Sequence, residues 1–215
     1  MKDLWIVGSN GAALETWAVA KAMEDAAPQA WKVRGFLVLD DSLGFDPENL
    51  DIQDERAFLE APPVDSTVVV LGLGDPALRE KLARRYSAKG LTFATLIHPT
   101  AIVGPNCTVG EGTILMAYSV LETHVTVGAH SLINVGSSIA HNGTLGSCCS
   151  IGPGVHLAGW VSLGDRCDLG VGCCIRPRVT LGPDTRVGAG AAVVKDHPGQ
   201  VTLTGVPANP RVSDG

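Results

Sequence analysis

The chain has 215 residues, 16 Lys and Arg against 22 Asp and Glu, and a formal net charge of −6. That allows one or two domains and excludes a basic surface for nucleic acid or an anionic membrane. Hydrophobic residues make up 45% and aromatic ones only 5%, enough for a buried core but one filled by Val, Ile and Ala rather than rings. No stretch has the roughly eighteen apolar residues of a membrane span. The opening MKDLWIVGSNGAALE is broken by glycines and Glu15 where a secretory signal keeps an unbroken apolar run, so a cytoplasmic protein is expected.

From the start, Leu4 to Val7 reads as a strand, Gly8-Ser9-Asn10-Gly11-Ala12-Ala13 as a turn, and Leu14, Trp17, Ala18, Lys21 and Ala22 as one face of a helix. Strand, glycine turn and helix open a nucleotide-binding βαβ unit, whose helix N-terminus and loop amides accept phosphate. The G-x-G-x-x-G spacing of a dinucleotide site is absent. Gly35 to Leu39 is the second predicted strand, with Asp40-Asp41 at its carboxyl end. Two readings stand there: the acids accept hydrogen bonds from a ribose or base, or they start a turn. Asp51 to Pro63 reads as a short helix and loop, Ser66 to Leu71 as a strand closed by Gly72-Leu73-Gly74-Asp75, Pro76 to Lys89 as a basic helix and Leu91 to Ile97 as a last strand. A three- to four-stranded parallel sheet follows, which suits one nucleotide moiety better than a full dinucleotide.

His98-Pro99-Thr100-Ala101 marks a junction, with His98 read as a hinge residue, and a period of six begins immediately after it. Stepping by six from Val103 meets Val109, Leu115, Leu121, Val127, Ile133, Ile139, Leu145, Ile151, Leu157, Leu163, Leu169, Ile175, Leu181, Val187 and Val193, all of them Val, Leu or Ile. Glycine follows many of these, and four residues after each comes a second small or β-branched filler such as Thr113, Val125 or Ser137. Neither a helix nor an ordinary strand repeats at six. A parallel β-helix does, with three hexapeptides to a coil and about five coils of eighteen residues. Cys107, Cys149, Cys167 and Cys173 occupy filler positions, and Cys148 and Cys174 merely adjoin two of them. With no C-x-x-C pair and no matching histidine spacing, no metal site is expected. Inward-facing reduced thiols are expected, with none offered as a nucleophile.

Residues eighteen apart stack in such a solenoid, so Thr123, His141, Gly159 and Pro177 share one corner. A glycine one coil along leaves space beside the imidazole and an unencumbered N–H, which suits a thioester meeting a general base; an exposed corner histidine without a role is the other reading. His124, His130 and His156 lack that setting and read as surface or interface residues. The boundaries are therefore 1–98 for a nucleotide-binding βαβ domain, 99–194 for the β-helix and 195–215 for a C-terminal cap over the last coil. A solenoid serving only as a scaffold is the non-enzymatic alternative.

The glycine-loop domain, the HP-x-A junction, the hexapeptide ladder, INVGSSIAHN and the terminal GVPA, in this order, resemble the nucleotide-sugar acetyltransferases that modify 4-amino-4,6-dideoxy sugars, and the related sialic-acid O-acetyltransferases. The resemblance covers essentially the whole chain. It implies a Rossmann-like mononucleotide-binding domain followed by a left-handed parallel β-helix, acetyl-CoA as cosubstrate, no metal, and a homotrimer with active sites between subunits. It implies His141 as catalytic base with Asn142 beside it, Asn134 holding the sugar, and Ser150, Gly159, Val171 and Ala189 lining the acetyl-CoA groove. Gly8, Asn10, Gly11, Asp40, Asp41 and Gly74 would belong to the nucleotide pocket. The acceptor implied is a GDP-linked 4-amino sugar; a UDP-linked one, or O-acetylation on the same scaffold, is the alternative. Two departures stand out: Asn142 where many relatives have an acid, and Ser150 where some have a histidine.

Overall fold

The structure, a computed structural model, describes residues 1–39 and 50–211 and divides into two compact units, Met1–Pro99 and Thr100–Gly215. The first contains β1 (Lys2–Val7), α1 (Gly11–Ala26), β2 (Trp31–Val38), β3 (Asp51–Asp54), α2 (Glu55–Glu60), β4 (Thr67–Leu71), α3 (Pro76–Ser87) and β5 (Thr92–Phe93). Its sheet has the order β3-β2-β1-β4-β5 and is parallel throughout. The central strands β1 and β4 are nearly continuous apolar runs because helices cover both faces of such a sheet; Leu4, Ile6, Val7, Val69 and Val70 are all buried. Asn10, Asp54 and Asp75 cap the three helices, each side chain accepting a hydrogen bond from a backbone N–H of the first turn.

Two expectations need correction here. Asp51 to Asp54 forms an edge strand rather than helix or loop, made by pairing with β2 from Gly35 to Val38. Its sequence, DIQD, has no apolar alternation to announce it. The stretch Leu91 to Ile97 is two short strands rather than one: Thr92–Phe93 pairs with β4, and Leu96–Ile97 lies outside that sheet. The sheet therefore has five strands. Asp40 and Asp41 fall outside the described residues.

In the second unit the chain winds as two-residue strands from Ile102–Val103 to Ala192–Val193, each ending on an aliphatic of the six-residue step. Leu121 pairs with Ile139 and Ile139 with Leu157, all in parallel. Eighteen residues thus make a coil of three strands, and the coils stack into three sheets. From Leu115 to Val193 the stepping aliphatics are at most 3% exposed, whereas Val103, in the first coil, is 40% exposed. Each fully buried one contributes about 1.5–3 kcal/mol. The glycines after them serve close stacking: a Cβ at Gly128 would lie 2.5 Å from the Gly146 backbone. The left-handed turn residue comes two positions later, as at His130 or Asn142.

The tail extends the solenoid before folding back. Thr202–Thr204 pairs in parallel with Arg186–Val187 and then antiparallel with Asn209–Pro210. Leu203 and Ala208 are buried by this turn, and Pro210, lacking an N–H, blunts the free edge.

Candidate active site

His141 stands at the corner between the strands Ser138–Ile139 and Thr144–Leu145, exposed to solvent. The ladder of amides fixes the corner: Asn142 N–H donates to Thr123 O, Trp160 N–H to His141 O and Arg178 N–H to Gly159 O, each at 3.0 Å. Asn142 takes the left-handed conformation at φ 61°, which its short amide tolerates better than most side chains. Its Oδ1 lies 3.1 Å from His141 Nδ1. An amide oxygen only accepts, so this contact matches the tautomer with the proton on Nδ1, which would leave the lone pair on Nε2. Glu122 holds the corner from the preceding coil, its Oε2 accepting from His141 N–H at 3.0 Å.

Gly159 lies directly beneath the ring. A Cβ there would be 2.5 Å from His141 Nε2 and 2.6 Å from Cε1, so only glycine admits this imidazole. The space expected to stand open beside the ring is occupied by the ring itself, and Gly159 is buried under it. Among the described residues its N–H has no acceptor. Trp160 packs edge-on to the imidazole with ring centroids 6.4 Å apart and planes at 87°, and Arg178 places its Cζ 5.5 Å over the indole. Glu122, Trp160 and Arg178 escape a reading confined to inward positions. The eighteen-residue step from Asn142 points to the latter two.

The remaining expected residues do not join His141 within one chain. Asn134, Val171 and Ala189 sit at the neighbouring corner, between the strand faces of Leu132–Ile133 and Ser138–Ile139, and Ser150 is on the face leading to it. Val171 is 56% exposed, Ser150 only 7%. Asn134 Oδ1 accepts from Val135 N–H at 2.7 Å. His124 bonds to Thr123 and Asn106, and His156 Nδ1 to Ser138 Oγ at 2.8 Å. Among the described residues no three of His, Cys, Asp and Glu could hold a metal ion. The cysteines are all free, and Cys149, Cys167 and Cys173 are buried; burial pushes the Cys173 thiol up to about 12. Cys174, expected to face inward with the rest, is exposed. It is the first residue of its strand, so alternation turns it out when Ile175 turns in.

In the first unit Gly8 and the Gly72–Gly74 turn lie at the carboxyl ends of β1 and β4, where strand order reverses and such sheets form a crevice. Gly8 has φ 137°, and a Cβ on it would meet Gly72 O at 2.6 Å. Asn10 spends its side chain on the helix cap, 3.2 Å from Ala12 N. Around Gly11 and Gly74 a Cβ would find open space. Arg79, buried within α3, donates to Leu73 O and Gly74 O and fixes this turn.

No family model matches the chain. Over 54 residues, 25% of this chain and 25% of the relative, it is 37% identical to UDP-N-acetylbacillosamine N-acetyltransferase of Bacillus subtilis (strain 168); that match spans a quarter of the curated relative's length. The structure of PerB from Caulobacter crescentus in complex with CoA and GDP-perosamine is 33% identical, with 99% of this chain and 98% of that one covered and a TM-score of 0.88. The acetyltransferase domain of PglB from Neisseria gonorrhoeae FA1090, in complex with acetyl coenzyme A, is 25% identical over 98% and 99% of the two chains, with a TM-score of 0.88. A three-faced parallel coil with one imidazole on a glycine-backed corner is thus the architecture of a hexapeptide-repeat transferase. The chain belongs to the sugar N-acetyltransferases of that family.

Proposed function

We propose that this enzyme transfers the acetyl group of acetyl-CoA to the C4 amine of a nucleotide-linked 4-amino-4,6-dideoxy sugar, with GDP-perosamine the favoured acceptor. The observation that carries the reading is the corner itself. His141 Nε2 keeps its lone pair because Nδ1 is engaged by Asn142, and the N–H of Gly159 beneath it is unspent. The amine attacks the thioester carbonyl, Nε2 takes its proton, and the Gly159 N–H steadies the oxyanion. Collapse breaks the C–S bond, and the imidazolium returns the proton to the departing thiolate. Asn142 orients the ring but supplies no charge.

In this reading Gly8, Asn10, Gly11 and Gly74, with Asp40 and Asp41, bind the nucleotide in a Rossmann-like domain (1–98), and the solenoid is left-handed. Ser150, Gly159, Val171 and Ala189 hold acetyl-CoA, and Asn134 holds the sugar. Because Asn134, Ser150, Val171 and Ala189 lie at or beside a different corner from His141, a site using all of them needs a second copy, as a homotrimer with sites between subunits supplies. No helix of the described residues is long and apolar enough to cross a membrane; use of acetyl-CoA fits the cytoplasm. The likeness to the Bacillus subtilis enzyme favours a UDP-linked amino sugar as second choice.

The test is incubation with acetyl-CoA and a panel of GDP- and UDP-linked 4-amino and 4-hydroxy sugars, reading product mass. Acetylation confined to GDP-linked amino sugars is the expected result. Acetylated hydroxy sugars, or no product from any amino sugar, would overturn it.

A further inference from the structure

The turn positions of the solenoid fall every six residues, and their identities differ from corner to corner. At one corner they are Tyr118, Gly136, Gly154, Gly172 and Gly190, glycine being the ordinary solution for left-handed backbone. At the corner of His141 they are Asn106, His124, Asn142, Trp160 and Arg178, with φ between 55° and 67° and no glycine among them. Left-handed backbone is unfavourable for any residue with a Cβ, and most of all for a bulky one. An indole there is explained by what it touches: Trp160, half exposed, packs against His141 on one side and carries Arg178 on the other.

Arg178 is exposed, and among the described residues it has no ion-pair partner. Stacking on the indole orders the guanidinium without consuming its N–H donors, leaving a planar fork matched to phosphate oxygens. Coils are about 4.8 Å apart, so Trp160 and Arg178, one and two coils beyond His141, offer that fork within about 10 Å of the base. Only one substrate has an anion so close to its reacting atom. In a nucleotide-linked 4-amino sugar the diphosphate begins directly across the pyranose ring from the C4 amine. In acetyl-CoA the whole pantetheine arm separates the thioester from the phosphates.

We infer that Arg178, ordered on Trp160, binds the sugar-side phosphate of the acceptor and so selects diphosphate-linked amino sugars over free ones. The inference rests on the acetyl-transfer reading above and assigns a specificity determinant for it. Arg178 touches substrate but not the reacting atoms, and Trp160 acts as a positioning residue through it and through the imidazole.

The test is steady-state kinetics of the full chain with saturating acetyl-CoA and two acceptors, the nucleotide-linked amino sugar and its methyl glycoside, which has the amine but no phosphate. Arg178→Gln is expected to raise KM for the nucleotide-linked acceptor roughly 10- to 100-fold, as loss of a charged hydrogen-bonded contact does. The KM for acetyl-CoA and turnover of the glycoside should stay at wild-type values, Arg178→Lys should recover part of the loss, and Trp160→Asn should give a smaller rise. Arg176→Gln, at a second exposed cation two residues away, should not reproduce the effect. Equal losses on both acceptors, a raised KM for acetyl-CoA, or unchanged kinetics would overturn the assignment while leaving the acetyl-transfer reading intact. A wild-type enzyme inert toward every amino sugar would overturn both.

Discussion

From the second coil of the solenoid onward each coil buries the same two positions, whereas in the N-terminal unit every strand and helix buries a different set. The treatment of buried hydroxyls shows the consequence. Thr113, Ser119, Ser131, Ser137 and Thr185 face into the coil, and each donates to a nearby carbonyl, as Ser137 Oγ does to Gly152 O at 2.8 Å. In the N-terminal unit the hydroxyls Thr67 Oγ1 and Tyr86 Oη are buried with no hydrogen-bond partner among the described residues, as is the carboxyl oxygen Glu55 Oε1; in the second unit His197 Nε2, past the last six-residue aliphatic, is in the same state. Burial pushes the Glu55 carboxyl up and the Tyr86 phenol well above its ordinary range. A repeat solves the problem of its inward hydroxyls once and copies the solution; a non-repeating fold meets each case separately. Chemistry then stands out in the solenoid as an interruption of the copy. His141 over Gly159 and the glycine-free column of Asn142, Trp160 and Arg178 are such interruptions.

Substitutions at interruption and repeat should therefore separate activity from stability. The largest loss of activity is expected from His141→Asn, with kcat falling about 10²- to 10⁴-fold and KM for acetyl-CoA little changed; because the ring is exposed, the melting temperature should hold. Near-full turnover would remove His141 as the base. Leu157→Ala, inside the repeat and 1% exposed, should do the reverse, costing about 2–5 kcal/mol in denaturant unfolding while the surviving folded protein keeps its KM values. Gly159→Ala should lower kcat by about 10²-fold, the penalty of displacing a catalytic group by an ångström, at little cost in stability because only a side-chain end must move.

The smallest expected effect is a pH dependence at the end of the coil. Burial lowers the pKa of His197 below the usual 6.5, so the folded state prefers the neutral ring. That contribution is present above 6.5 and is lost as the pH falls through the depressed folded value. Gly182 N–H donates to His197 O at 2.9 Å, so its protection against hydrogen exchange, taken relative to the intrinsic rate at each pH, should fall on acidification in wild type and not in His197→Leu. Unaltered protection in wild type would remove the switch.

The solenoid was legible because its period lies in residues whose side chains must point inward, and from Leu115 onward every expected aliphatic is buried. The stacking of His141 with Gly159 followed from the same register. The same step taken from Asn142 reaches Trp160 and Arg178, but turn positions face solvent and carry no hydrophobic signal to single them out. In the N-terminal unit β3 was illegible for a related reason: the edge strand Asp51–Asp54 is held by pairing with β2, not by an apolar pattern of its own. The exposure of Cys174 shows the cost of ignoring alternation within a two-residue strand.

A structure of the complex with CoA and a nucleotide-linked 4-amino sugar tests the central claim most directly. The acceptor amine is expected within about 3 Å of His141 Nε2, with the CoA sulfur beside Gly159. An amine placed away from that corner, with the imidazole facing only solvent, would contradict it.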